Sequence, residues 1–456
     1  MTEKEFERAL RRGLGSAIIE LKKCNDKMKY RDIVLRCCLR DITFERIMEG
    51  SKGFYLYSAI CELSDKNEIE KILIDKFLSK CKDGLFFQLT DILYCCAYYD
   101  KSEFSKDAFY KKYEYFADKA RFSFSENSDD GRQWNEIAIN LFYLDGFSAF
   151  KRYVTDVGKM LLKKSKNKAQ NLMRIKHTGD WSWLKCRAEG LFGEKKISGF
   201  FEKACQRSKE IKALADALRE DEALYKLRET EREKEQVTVK KLIEAAKTAV
   251  LDKKPYSKFD GEFGFLKNAG ESDFLELADT ILREEDKKVK ALLLQVFTHR
   301  KQFPLEITPL LEYVESNNTM LAETAVESLE DFKDKRIHDL AERMIKDKKS
   351  IAIGLLRNSY KKSDDEIVNN LIKSVGISHR VQLDIVWIYK YKRRCAARVL
   401  PALLRVYRNG ECVYCRNGVV EIMHSCGILS DEILNECLYD SYDETRVFAN
   451  RLIERK

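Results

Sequence analysis

Four residues within one short stretch, ECVYCRNGVVEIMHSC, are the most suited to chemistry: Cys412, Cys415, His424 and Cys426. Thiolate and imidazole are the ordinary ligands of tetrahedral zinc, and Cys-x2-Cys is a common spacing for two of them. The stretch also follows a helical period of apolar residues, in which Cys415 falls on the buried stripe. On one continuous helix, Cys415 and Cys426 lie about 16 Å apart at about 1.5 Å per residue. Ligands held about 2.3 Å from a shared ion cannot span that distance. The expectation is a core helix, with no metal and no cofactor. The remaining histidines, His177, His299, His338 and His379, are scattered along the chain. A phosphate-cradling GxxxxGK loop, GxSxG, HExxH and an EF-hand loop are all absent. No catalytic residue is assigned, and the reading points away from an enzyme.

Charge offers a second kind of site. The 456-residue chain has 84 Lys and Arg against 75 Asp and Glu, a net +9 with His neutral. The excess sits in residues 151–200, which sum to +9, and 351–400, which sum to +6. Residues 151–187 supply Lys159, Lys163, Lys164, Lys166, Lys168, Arg174, Lys176, Lys185 and Arg187, with Trp181 and Trp183 among them. A second basic run supplies Lys390, Lys392, Arg393 and Arg394 beside Trp387, Tyr389, Tyr391 and Tyr407. Cations release counterions from a phosphate backbone, and exposed rings stack on bases, so both segments are candidates for DNA or RNA. The competing account makes the rings core and the charges a solvated face. Tyr389 lies on the stripe that begins at Val381, and the cations that follow it fall at a helix end. There they complement the helix dipole without a ligand.

The elements that must position these residues are helices. With 4 prolines and 20 glycines, the chain lacks the turn signals that a sandwich or barrel needs every 8–12 residues. Apolar residues recur at i, i+4 and i+8, as at Ile69, Leu73 and Phe77. Residues 1–206 read as helical pairs without a consistent period, an irregular or repeat-like α-solenoid region, very aromatic between 86 and 150. Residues 207–250 read as charged connector helices, because the apolar stripe ends at Leu227 and RETEREKEQ has none. The N-terminus lacks the apolar segment of a secretory signal, and no run reaches the roughly 20 apolar residues of a membrane span. The expected setting is cytoplasmic with no membrane partner, and the 14 cysteines are expected to be reduced core filler.

From 251 onward the chain repeats. Six segments share apolar residues at i, i+4 and i+5: Val289/Leu293/Leu294, Leu321/Ala325/Val326, Ile351/Leu355/Leu356, Val381/Ile385/Val386, Cys415/Val419/Val420 and Phe448/Leu452/Ile453. Their anchors step by 32, 30, 30, 34 and 33 residues, with a shorter amphipathic helix before each. About six helix pairs that cannot bury their faces alone predict an all-α solenoid over 251–456.

The segment AETAVESLEDFKDKRIHDLAERMIKD, with its Asp334-x-Arg336 corner, resembles a short HEAT-type repeat, and CAARVLPALLRVY resembles a HEAT first helix carrying Pro401 early. Pro309 holds a similar place. The resemblance covers roughly 271–456 and implies an α-α superhelix, an architecture that serves scaffolds, adaptors and nucleic-acid binders alike. It implies that second helices line a concave face, which makes Glu323, Glu327, Arg357, Gln382 and Glu421 candidates for a protein-binding surface of mixed sign. The leading expectation is a non-enzymatic scaffold for a protein partner, and the second is nucleic-acid binding through 151–187. The HEAT-like DNA glycosylases for alkylated bases use Trp, Asp and Arg, types that Trp134, Asp180, Trp181, Trp183 and Arg187 supply. No local pattern carries their roles across.

Overall fold

The computed structural model describes all residues except 123–129, 163–180, 235–236, 253–261, 301, 393–396 and 456. Among the described residues every regular element is a helix and none is a strand. The chain divides into two compact units, residues 1–227 with 434–456, and residues 228–433. The divide falls within the helix Lys209–Lys234, where the apolar stripe runs out.

The first unit begins with a helix whose ends are written in sequence. Thr2 caps Glu3–Arg12 in a capping box with Glu5, and Gly13 closes it at φ +76°, a conformation that costs glycine nothing. Helices Gly53–Ile60, Lys66–Leu78, Asp83–Tyr99, Glu103–Phe122, Asp130–Asp145 and Phe147–Leu162 follow, each packed on its neighbours. Their core is aromatic. Phe77 meets Phe86 and Phe109 at 5.5 Å, and Trp134 lies between Tyr113 and Tyr153 at 5.8 and 5.1 Å, fully buried. Cys37, Cys38, Cys95 and Cys96 fill this core as small hydrophobes, and burial pushes Cys37 up to about 11 and Cys96 up to about 12. Among the described residues twelve cysteines are in no disulfide, whereas Cys426 is disulfide-bonded, a departure from the all-reduced expectation.

The second unit carries the repeat. Anchor helices Lys287–Arg300, Thr319–Leu329, His379–Lys392 and Val413–Ser425 alternate with Glu271–Arg283, Thr308–Val314, Lys335–Lys346, Asp364–Ser374 and Leu400–Asn409. At the third anchor the helix is broken into a 3-10 turn, Ser350–Ile353, and a short helix, Leu356–Ser359. Anchor elements pack one on the next, and so do the intervening helices from Lys335 to Asn409. The anchor triplets from Val289 to Val420 are buried except Ile351, which is half-buried. Pro309 and Pro401 stand in the first turn of their helices, where no N–H is missed. Asp334 caps Lys335–Lys346, and Arg336 pairs with Asp334 and Glu306 at 2.7 Å each, tying that corner to the preceding pair.

Candidate binding face

Three helices of the first unit, Gly53–Ile60, Asp83–Tyr99 and Asp130–Asp145, share a polar, ring-bearing face. Along the middle helix, Asp91, Tyr94 and Tyr98 stand at i, i+3 and i+7 and so line one stripe, while Ile92, Leu93, Cys95 and Cys96 face the core. Glu136, Asn140 and Tyr143 stand at i, i+4 and i+7 on the next helix, again on one stripe. The middle helix approaches Gly53 so closely that a Cβ there would stand 2.4 Å from the Asp91 Cβ and 2.7 Å from the Gln88 carbonyl.

Six rings form a connected set on this face. Tyr94 meets Phe54 at 6.3 Å, Tyr98 at 5.5 Å and Tyr143 at 6.2 Å. Tyr98 meets Tyr99 at 5.1 Å, and Tyr99 stacks on Tyr57 at 6.0 Å. Four are exposed: Phe54 by 45%, Tyr98 by 42%, Tyr99 by 60% and Tyr143 by 42%. Two shielded carboxylates share these stripes. Burial raises Asp91 to about 7, against a hydrogen bond donated by Ser51 that lowers it, and the Glu136 charge adds to the rise. Burial also raises Glu136, opposed by the Asn140 amide at 3.3 Å and the Arg187 charge. Residues 51–150 hold 17 acidic against 13 basic side chains, so the region is mildly negative.

The basic candidates fare differently. Lys163, Lys164, Lys166, Lys168, Arg174, Lys176, Asp180, Arg393 and Arg394 lie outside the described residues, as do the side chains of Trp181, Trp183 and Lys392. Lys159 pairs with Asp156 at 2.9 Å, Lys185 with Glu189 at 3.6 Å and Lys390 with Glu421 at 2.7 Å, while Arg187 is exposed near Glu136. A cleft of about 440 Å³ at the start of the first basic segment is lined by Lys151, Arg152 and Lys159 together with Glu114, Asp118 and Asp156. Its charges are mixed. Trp134 is a core ring and cannot stack on a base, and Tyr389 is buried with its hydroxyl 2.7 Å from that of Tyr360.

The residues expected on a concave face of the second unit are mostly engaged inside it. Glu323 is exposed. Glu327 pairs with Arg380, and Arg357 pairs with Glu330 and with the fully buried Asp384 at 2.9 Å, its guanidinium 5.0 Å from the half-exposed Trp387 ring. Gln382 is only 1% exposed: its amide oxygen accepts from the Cys412 N–H at 3.3 Å, so this side chain is no part of an open surface. Glu421 is held by Lys390 and by Asn417 at 2.8 Å.

Cys415 and Cys426 do lie at opposite ends of Val413–Ser425, and the disulfide removes Cys426 as a ligand. The structure instead brings His379 against Cys412 and Cys415, the three ligand atoms lying within 4.8 Å of one another. Hydrogen bonding from Cys415 lowers the Cys412 thiol to about 6, against burial that raises it. His379 was legible only as one scattered histidine, because its partners stand one repeat further along.

No helix among the described residues is long and apolar enough to cross a membrane. Compared with protein-family models, curated proteins and solved structures, the chain matches none.

Proposed function

We propose that this is a non-enzymatic helical-repeat protein of short HEAT type that holds a protein partner on the ring-bearing face of its first unit. One observation carries the reading: six connected rings, four of them exposed, spread over three adjacent helices. Tyrosine offers large, rigid contact area at low entropic cost and is enriched among residues that dominate binding energy. Exposed contiguous rings of this kind are uncommon on a surface that meets only water. Exposed rings in a mildly negative region suit Lys or Arg side chains, which stack on the rings. The partner class is therefore a protein segment bearing basic residues. The second unit, in this reading, is a solenoid whose helix pairs extend the surface.

A photoreactive residue at Tyr98 or Tyr143 in the native host identifies the partner by cross-linking. Titration calorimetry with that partner then compares the wild type with Tyr98→Ala/Tyr99→Ala, whose melting temperature should hold because both rings are exposed. The expected result is a 10- to 100-fold weaker Kd, about 1.4–2.8 kcal/mol. Unchanged affinity sinks the assignment of this face. Micromolar binding of generic DNA or RNA with a steep salt slope, lost on neutralising Lys163, Lys164, Lys166 and Lys168, would establish the nucleic-acid reading instead.

A further inference from the structure

We propose that His379, Cys412 and Cys415 form a zinc site in the 228–433 unit, with three protein ligands and solvent in the fourth position. The residues come from two elements that pack together: His379 opens the helix His379–Lys392, Cys412 caps Val413–Ser425, and Cys415 lies in that helix's first turn. Their ligand atoms all lie within 4.8 Å of one another. Sulfurs held about 2.3 Å from a tetrahedral ion stand about 3.8 Å apart, so the set closes on an ion by drawing in about 1 Å or less.

Burial and donor type separate this cluster from the acidic groups that gather on any surface. Cys412 is 3% exposed, Cys415 is fully buried and His379 is half-buried, and neither cysteine is in a disulfide. Thiolate and imidazole together select zinc over magnesium or calcium, which prefer oxygen. The cap itself is unusual. Helix N-caps favour Ser, Thr, Asp or Asn, whose oxygens accept well, whereas here a sulfur accepts the Cys415 N–H at 3.5 Å. Sulfur is a weak acceptor, so capping alone does not account for a thiol at this place.

The two ligand-bearing turns are held in register by a contact that uses none of the ligands. Gln382, three residues after His379 on the same helix, accepts the Cys412 N–H at 3.3 Å. Gly410 admits that amide: a Cβ there would stand 2.6 Å from the Gln382 oxygen. Such support from outside the ligand set orients ligands before the ion arrives. Among the described residues no fourth His, Cys, Asp or Glu joins the set, which leaves water on the half-open His379 side. A dithiol redox pair is the competing use of Cys-x2-Cys, but thiol exchange needs an accessible sulfur, and neither is.

The test uses the full-length chain purified anaerobically under reductant, with metal measured by plasma mass spectrometry and by cobalt(II) substitution. About one zinc per chain is expected. Cobalt should give tetrahedral ligand-field bands and thiolate charge-transfer bands, the latter roughly halved in Cys412→Ser. His379→Ala/Cys415→Ser should lose stoichiometric zinc, while Cys81→Ser keeps it. A folded wild-type chain that takes up neither zinc nor cobalt overturns the site. So does stoichiometric zinc that survives His379→Ala/Cys415→Ser, or recovery of a metal-free Cys412–Cys415 disulfide. The cobalt spectrum of the wild type decides even where a variant does not fold.

Discussion

Asp91 illustrates how far a side chain's chemistry departs from its sequence context. It sits on the polar stripe of its helix, where a carboxylate is ordinarily solvated, yet burial lifts it to about 7 from a usual value of 3.8. A folded-state value above the unfolded one means the native protein holds the extra proton, so stability falls as pH rises from about 4 through about 7 and is flat above. The full loss is at most about 4 kcal/mol, at about 1.36 kcal/mol per pKa unit. Asp91→Asn keeps the shape without the charge. It should exceed the wild type in melting temperature by a smaller margin at pH 5 than at pH 8, read by calorimetry; the same margin at the two pH values would show that Asp91 is solvated. Nothing in the sequence marks this residue, because its burial is made by Gly53, which opens another helix, and by Ser51 just before it. The tyrosines were legible as aromatic density but not as a face. Residues 94, 98 and 99 are read as packing until the neighbouring helices are seen to leave two of them exposed.

At the scale of the element, the sequence was far more legible. A triplet at i, i+4, i+5 recurring every 30–34 residues located the anchor elements, since a buried helix face has a period that composition cannot hide. The last triplet is not a core triplet: Phe448 and Leu452 are half-buried and Ile453 is 39% exposed. The contrast sets a prediction. Leu294→Ala should cost about 2–5 kcal/mol in chemical denaturation and Ile453→Ala about 0.5 kcal/mol or less; equal costs would break the register. The ion pairs divide in the same way. Arg336 is 47% exposed in its corner, so Arg336→Ala should cost under about 1 kcal/mol. Arg357 is 17% exposed and bridges Glu330 and Asp384 across three segments, so Arg357→Leu should cost about 3 kcal/mol, because it strips a cation from a buried carboxylate. Sequence alone placed Arg357 on a surface, since one chain segment does not reveal which acids another brings to meet it.

At the scale of the whole molecule, contact order departs from chain order. Residues 434–456 continue the repeat pattern in sequence, yet they group with the N-terminal helices. The Ser441 N–H donates to the Gly13 carbonyl at 2.9 Å, and the Lys22 ammonium lies 4.0 Å over the Tyr439 ring. Gly15 sets how closely these segments meet: a Cβ there would stand 1.8 Å from the Glu436 carbonyl oxygen, and a backbone atom cannot swing aside. Ala in a helix gains about 0.5–1 kcal/mol over Gly, whereas forced overpacking costs about 1–3 kcal/mol, so the clash wins. Gly15→Ala should therefore lower the melting temperature. Gly199→Ala, which meets nothing within 4 Å in the helix Glu194–Ala204, should raise it slightly. Hydrogen exchange separates long-range docking from local helix strain. In Gly15→Ala, protection should fall together in 3–23 and 443–454, while Asp83–Tyr99 stays protected. Loss confined to 3–23 would show that the C-terminal segment does not depend on this contact. Joint loss would show that the first unit is completed only by the last residues of the chain, so a truncation at 433 should leave its N-terminal helices open to exchange.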